Sequence, residues 1–139
     1  MKFISQMLLA LALCVGTIAT PALAGDKDPL FVNLTSDESH RADMAIYFGE
    51  KQLERGHPLT MFLNDKAVRI GSKTNSRKFA EQQKALTQLM DKGAAVLICT
   101  MCMKYYGVKE ADLLPGIKVG GSDLTGEALF KDNTKSISW

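Results

Sequence analysis

The chain carries only two histidines and three cysteines in 139 residues. A closed zinc site needs four ligands, and a single close cysteine pair with His40 and His57 offers no second pair. Lysine and arginine form no run interleaved with aromatics, and the net charge is only +2. Nucleic-acid binding therefore has no electrostatic footprint. Beyond the opening segment, no apolar stretch approaches the roughly 18 residues of a membrane-spanning helix, so the remainder reads as soluble. Internal repeats and low-complexity tracts are absent, and the length is that of one domain.

What is present begins with an export pattern. Lys2 supplies a positive start, and Met7 to Val15 is unbroken apolar sequence. Pro21-Ala22-Leu23-Ala24 then places small residues at the −3 and −1 positions of a cleavage site. Residues 1–24 are thus expected to be a secretory signal peptide, and residues 25–139 the folded domain. Leu11-Ala12-Leu13-Cys14 faintly resembles a lipidation box, but Leu13 is large where a small residue is wanted. Export without a later anchor points to a periplasmic location.

Apolar runs and helical periods alternate through the rest. Leu30 to Leu34, Pro58 to Leu63, Ala94 to Ile98 and Ile117 to Val119 read as buried strands. Ser136 to Trp139 reads as a final edge strand. Helical spacing runs from His40 to Arg55, where Gly56 caps it, and from Phe79 to Asp91. Shorter helices are expected at Met101 to Tyr106, Glu110 to Leu114 and Leu124 to Phe130, and residues 66–77 read as a polar loop with a turn of helix at Lys66 to Ile70. This alternation predicts an α/β domain with a parallel sheet covered by helices on both faces. In such sheets functional groups collect beyond the carboxyl ends of strands. The segments Thr35 to Arg41, Asn64 to Lys66 and Cys99 to Cys102 meet that description.

Cys99 and Cys102 are the candidate reactive residues. A cysteine at a strand-to-helix junction meets unpaired N–H groups that stabilise a thiolate, and Lys104 is a nearby cation. A thiol three positions on lies within disulfide reach and can resolve an intermediate. The residues alone leave three readings open: redox or sulfur-transfer chemistry, a structural disulfide, and soft-metal binding. A disulfide here closes a very short loop and constrains little of the unfolded chain. Met101 and Met103 flank the thiols and suit Cu(I), although both also fit an ordinary helix. His40 stands at a helix start, where it is placed to carry protons or bind an anion, or simply to face solvent. A thioredoxin arrangement conflicts with the order of elements, because the pair follows the third strand and Gly107 cuts the next helix short.

The run from Val96 to Val108 resembles the DsrE/DsrF-like family, including its YchN-type members. In that family the third strand ends in a cysteine, often as Cys-x-x-Cys, with a glycine eight positions later; Cys99 and Gly107 match this spacing. The resemblance implies a flavodoxin-like three-layer sandwich with a mostly parallel five-stranded sheet. It also implies homo-oligomers, often trimers or hexamers, and exchange with sulfur donor and acceptor proteins or small sulfur species. Members of the DsrE and TusD kind hold a persulfide on the cysteine that Cys99 matches, with no cofactor. The chain departs from the TusD pattern, which has an arginine pair where Tyr105 and Tyr106 stand. Export departs from those cytosolic relays as well. The expected function is a periplasmic sulfur carrier, possessing sulfurtransferase-like character. The alternatives are a dithiol redox or peroxide-linked protein, and a non-catalytic oligomeric module for a small anion or Cu(I).

Overall fold

The computed structural model describes residues 25 and 27–139. The signal-peptide reading and Cys14 lie outside the described residues.

Five strands form one sheet: β1 (Leu30–Leu34), β2 (Leu59–Leu63), β3 (Ala95–Cys99), β4 (Lys118–Gly120) and β5 (Lys135–Ser138). Four α-helices connect them: α1 (Ser39–Glu54), α2 (Ser76–Asp91), α3 (Thr100–Tyr106) and α4 (Ser122–Leu129). The strand order is β4-β3-β2-β1-β5, and every pairing is parallel. The sheet is therefore wholly parallel, where the resemblance implied a mostly parallel one. The α/β, flavodoxin-like class stands.

Register and the two-residue side-chain period divide the sheet into two unlike faces. Val32, Leu34, Leu59, Met61, Leu63, Val96 and Ile98 point to one side and are buried. They form the core with Ala42, Ala45 and Ile46 of α1, Phe79, Leu86 and Leu89 of α2, and Met103 of α3. The other side presents Phe31, Asn33, Thr60, Phe62, Leu97 and Cys99, over which α4 lies. Gly120 permits that helix to sit close: a Cβ there would come within 2.8 Å of Thr125 Oγ1.

Residues 66–77 bear out the expected helical turn and correct the rest of the sequence reading. The turn is a 3-10 helix, Asp65–Arg69; a second, Lys73–Asn75, follows it, and α2 already begins at Ser76. Ala67, Val68, Ile70, Gly71 and Ser72 are buried, whereas Lys66, Lys73 and Thr74 are exposed. The polar composition concealed a short apolar stripe. Gln83 of α2 holds it in place, donating through Nε2 to the carbonyls of Ile70 (3.0 Å) and Ser72 (2.7 Å). These bonds satisfy backbone acceptors that burial removes from water.

Strand order reverses between β1 and β5, where open α/β sheets usually bind ligands. Here backbone ties the ends of the two strands together. Thr35 donates both its N–H and its hydroxyl to the Trp139 carbonyl, and the Trp139 ring packs 5.4 Å from Phe48. The cysteine pair stands elsewhere, at the end of β3.

Candidate functional site

Strand β3 ends at Cys99 because α3 begins at the next residue. Cys99 has extended backbone (φ −72°, ψ 116°), and its Sγ accepts the N–H of Cys102 at 3.2 Å. The side chain thus occupies the capping position that Ser, Thr or Asp usually fill. One of the unpaired helix-start donors is aimed at sulfur, an arrangement that favours negative charge there. Helix α3 stops at Gly107, which adopts φ +70° and returns its N–H to the Met103 carbonyl. The cysteine-to-glycine spacing therefore measures one short helix with its two caps.

Cys102 is held differently. Its Cα lies 5.3 Å from that of Cys99, and the two sulfurs are in bonding contact. The Cys102 sulfur also lies 3.0 Å from Asn64 Oδ1, just beyond β2. That oxygen is fixed by accepting the Asp65 N–H at 2.9 Å. A thiol donates to such an acceptor; a disulfide sulfur has no proton to donate. The pair is therefore built asymmetrically, with a donor facing Cys99 and an acceptor facing Cys102.

Around Cys102 a polar frame joins three segments. Asp65 takes the left-handed region at φ +45°, uncommon for a residue with a side chain. Its carboxylate accepts a hydrogen bond from the Tyr106 hydroxyl. That bond, with some burial and the carboxylate charge, raises the Tyr106 pKa above its ordinary value. The Arg69 guanidinium lies 4.6 Å over the Tyr106 ring, a cation–π contact. Arg69 also pairs with Asp37 at 3.1 Å, and Lys78 approaches the same oxygen at 3.5 Å. Burial opposes ionisation of Asp37, but the hydrogen bond from Arg69 and the charge of Lys78 outweigh it and lower its pKa.

The sulfurs open on different clefts. Cys99 lines one of about 260 Å³ with Phe62, Thr100, Met101, Gly120, Ser122 and Thr125, beneath the start of α4. Cys102 lines another of about 420 Å³ with Asp65, Met101, Tyr105 and Tyr106. Met101 is 83% exposed and stands between them, lining both.

The three strand-end segments anticipated from sequence do converge. Asn64 and Asp65 reach Cys102 and Tyr106, and Asp37 joins through Arg69. His40 is exposed, and its backbone N–H donates to Glu38, whose carboxylate caps α1. The cation tied into this frame is Arg69, where sequence spacing pointed to Lys104. Arg69 and Tyr106 escaped the sequence reading because their contact crosses 37 positions and no local pattern encodes it. Among the described residues, no group of three or more His, Cys, Asp or Glu side chains is placed to hold a metal ion. Among the same residues, no helix is long and apolar enough to cross a membrane.

No individually curated protein matches the chain. Among solved structures it is similar to the crystal structure of the ychN protein from E. coli, with a TM-score of 0.59 and 22% identity. The alignment covers 80% of this chain and 99% of that one, and at this identity it establishes a shared fold. The DsrE/DsrF-like family matches residues 28–133, so this chain belongs to the DsrE/DsrF-like family.

Proposed function

We propose that the protein is an exported sulfur carrier that accepts sulfane sulfur on Cys99 as a persulfide and passes it on. The observation that carries this reading is the Cys102 N–H aimed at Cys99 Sγ at 3.2 Å, at the open end of β3. The Cys99 thiolate attacks the outer sulfur of a donor persulfide R–S–SH. A new S–S bond forms, the donor's S–S bond breaks, and RS⁻ leaves. Transfer to an acceptor thiolate reverses these roles. The export pattern of residues 1–24 supports a periplasmic setting, and family membership supports a homotrimer or homohexamer.

Intact-mass analysis after incubation with a persulfide donor tests this reading. The wild type should gain the mass of one sulfur atom, and Cys99→Ser should not. A wild type that never gains that mass removes the carrier reading.

A second reading, a dithiol redox protein, is favoured by the bonding contact between the two sulfurs. The two readings share an intermediate. Cys102 thiolate attacking the inner sulfur of a Cys99 persulfide releases HS⁻ and leaves the disulfide, which must then be reduced. A redox protein turns over with a thiol substrate and no sulfane donor, which separates the two in one assay.

A further inference from the structure

The two clefts and the direction of one hydrogen bond together say which sulfur an external reductant attacks. Thiol–disulfide exchange needs the nucleophile to reach the sulfur it attacks, so access to each sulfur matters. Cys102 is open to a nucleophile from the cleft of about 420 Å³ that it lines with Asp65, Tyr105 and Tyr106. Cys99 opens on the smaller cleft beneath α4, of about 260 Å³. The departing sulfur also matters, because a better-stabilised thiolate leaves faster. Cys99 accepts the Cys102 N–H, whereas Cys102 faces the Asn64 oxygen. Charge therefore settles more readily on Cys99.

We propose that the protein has two separate entrances: sulfane sulfur is loaded at Cys99 beneath α4, and the reducing thiolate attacks Cys102 through the Tyr105–Tyr106 cleft. The loading half rests on the carrier reading; the reduction half does not. In the first reductive step, RS⁻ bonds to Cys102 Sγ, the Cys99–Cys102 bond breaks, and the electron pair leaves on Cys99. A second RS⁻ then attacks the sulfur of R, releasing RSSR and the Cys102 thiolate. This is opposite to the assignment in which the first cysteine of a Cys-x-x-Cys pair is the one attacked.

The groups facing Cys102 are consistent with entry by a thiolate. Asp65 is committed to Tyr106, and Arg69 lies over the same ring. Tyr105 is 82% exposed at the mouth, and Lys104 is exposed on the same helix. Asp37 stands one pair further out, bound to both Arg69 and Lys78. Cys99 is the remaining thiol.

The test uses the oxidised protein and two reductants of one chemistry: glutathione, and a reduced dithiol protein whose resolving cysteine is serine. Each reaction is stopped with acid and alkylated. The tryptic peptide of residues 93–104, which holds both cysteines, is then fragmented. The expected product carries the adduct on Cys102 and the alkyl group on Cys99. Trapping with glutathione alone identifies a small-molecule reductant, and trapping with the protein alone identifies a protein one. An adduct on Cys99 with either reductant overturns the assignment. Ser122→Trp, at an exposed position lining the Cys99 cleft, supplies the second arm. Persulfide loading should slow at least tenfold while glutathione reduction stays within about twofold. Equal slowing of both, or of neither, overturns the separation of entrances. A wild type that never loads sulfur defeats the carrier reading alone, because the position of the adduct still decides the point of reduction.

Discussion

Asn64 Oδ1 lies 3.0 Å from the Cys102 sulfur and 2.9 Å from the Asp65 amide nitrogen. The oxygen is thus pinned by backbone while it faces the thiol, and it disfavours negative charge on that sulfur. Asn64→Ala should make Cys102 of the reduced protein react faster with iodoacetamide at a fixed pH and leave the Cys99 rate unchanged. Peptide mass spectrometry reads the two rates separately. The same substitution removes a cap from the 3-10 helix and should cost about 1 kcal/mol of stability. An unchanged Cys102 rate would show that the contact carries no influence on the sulfur.

Gly107 stands at φ +70° with nothing within 4 Å of where a Cβ would sit. Substitution there is a backbone effect with no steric component. Gly107→Ala should destabilise by about 1–2 kcal/mol, since the left-handed region is unfavourable for a residue with a side chain. Gly107→Asn should cost less. Denaturant unfolding of both variants measures the difference.

Gly71 is the opposite case. A Cβ there would meet Ile98 Cδ1 at 3.0 Å and Leu63 Cδ1 at 3.2 Å, both in the core. Gly71→Ala should destabilise by about 1–3 kcal/mol through overpacking. It should also loosen the link that presents Arg69, so thermal unfolding and the Cys102 alkylation rate should change together.

The Asp37 carboxyl has its pKa lowered in the fold, against the burial that opposes ionisation, by the Arg69 hydrogen bond and the Lys78 charge. A lowered native value means that its contribution to stability is fully present above the ordinary value of 3.8. That contribution is lost as pH falls through the native value. Asp37→Asn should therefore flatten the fall in stability in the acid limb below about pH 4. At neutral pH the cost should stay below about 1 kcal/mol, because both cations are substantially exposed. Unfolding curves from pH 2 to 7 test the sign.

Tyr106 should titrate above its ordinary value of 10.0, because its hydroxyl donates to the Asp65 carboxylate. Asp65→Asn should move the midpoint down. Alkaline absorbance titration, taken as the difference from Tyr106→Phe, reads this one phenol. A midpoint unmoved by Asp65→Asn would refute the coupling.

Much of this domain was decided locally. Leu30 to Leu34 and Ala95 to Ile98 are apolar enough to be buried wherever they pair, and helical spacing with a capping glycine ends α1 wherever it packs. Cys99, Cys102 and Gly107 lie on one continuous segment, so a strand end, a short helix and its cap were legible from their order. Tertiary structure decided what distinguishes the sulfurs. Asn64 meets Cys102 across 38 positions, and Tyr106 meets Asp65 across 41. Such contacts depend on β2 and β3 lying side by side, which no local spacing records. The same applies to the buried stripe of Ala67, Val68 and Ile70. Its polar neighbours masked it until α2 supplied Gln83 to satisfy its carbonyls. Sequence by itself placed two thiols at the end of a strand; only the fold set a donor against one and an acceptor against the other, because those partners come from chain segments that meet only when the sheet has formed.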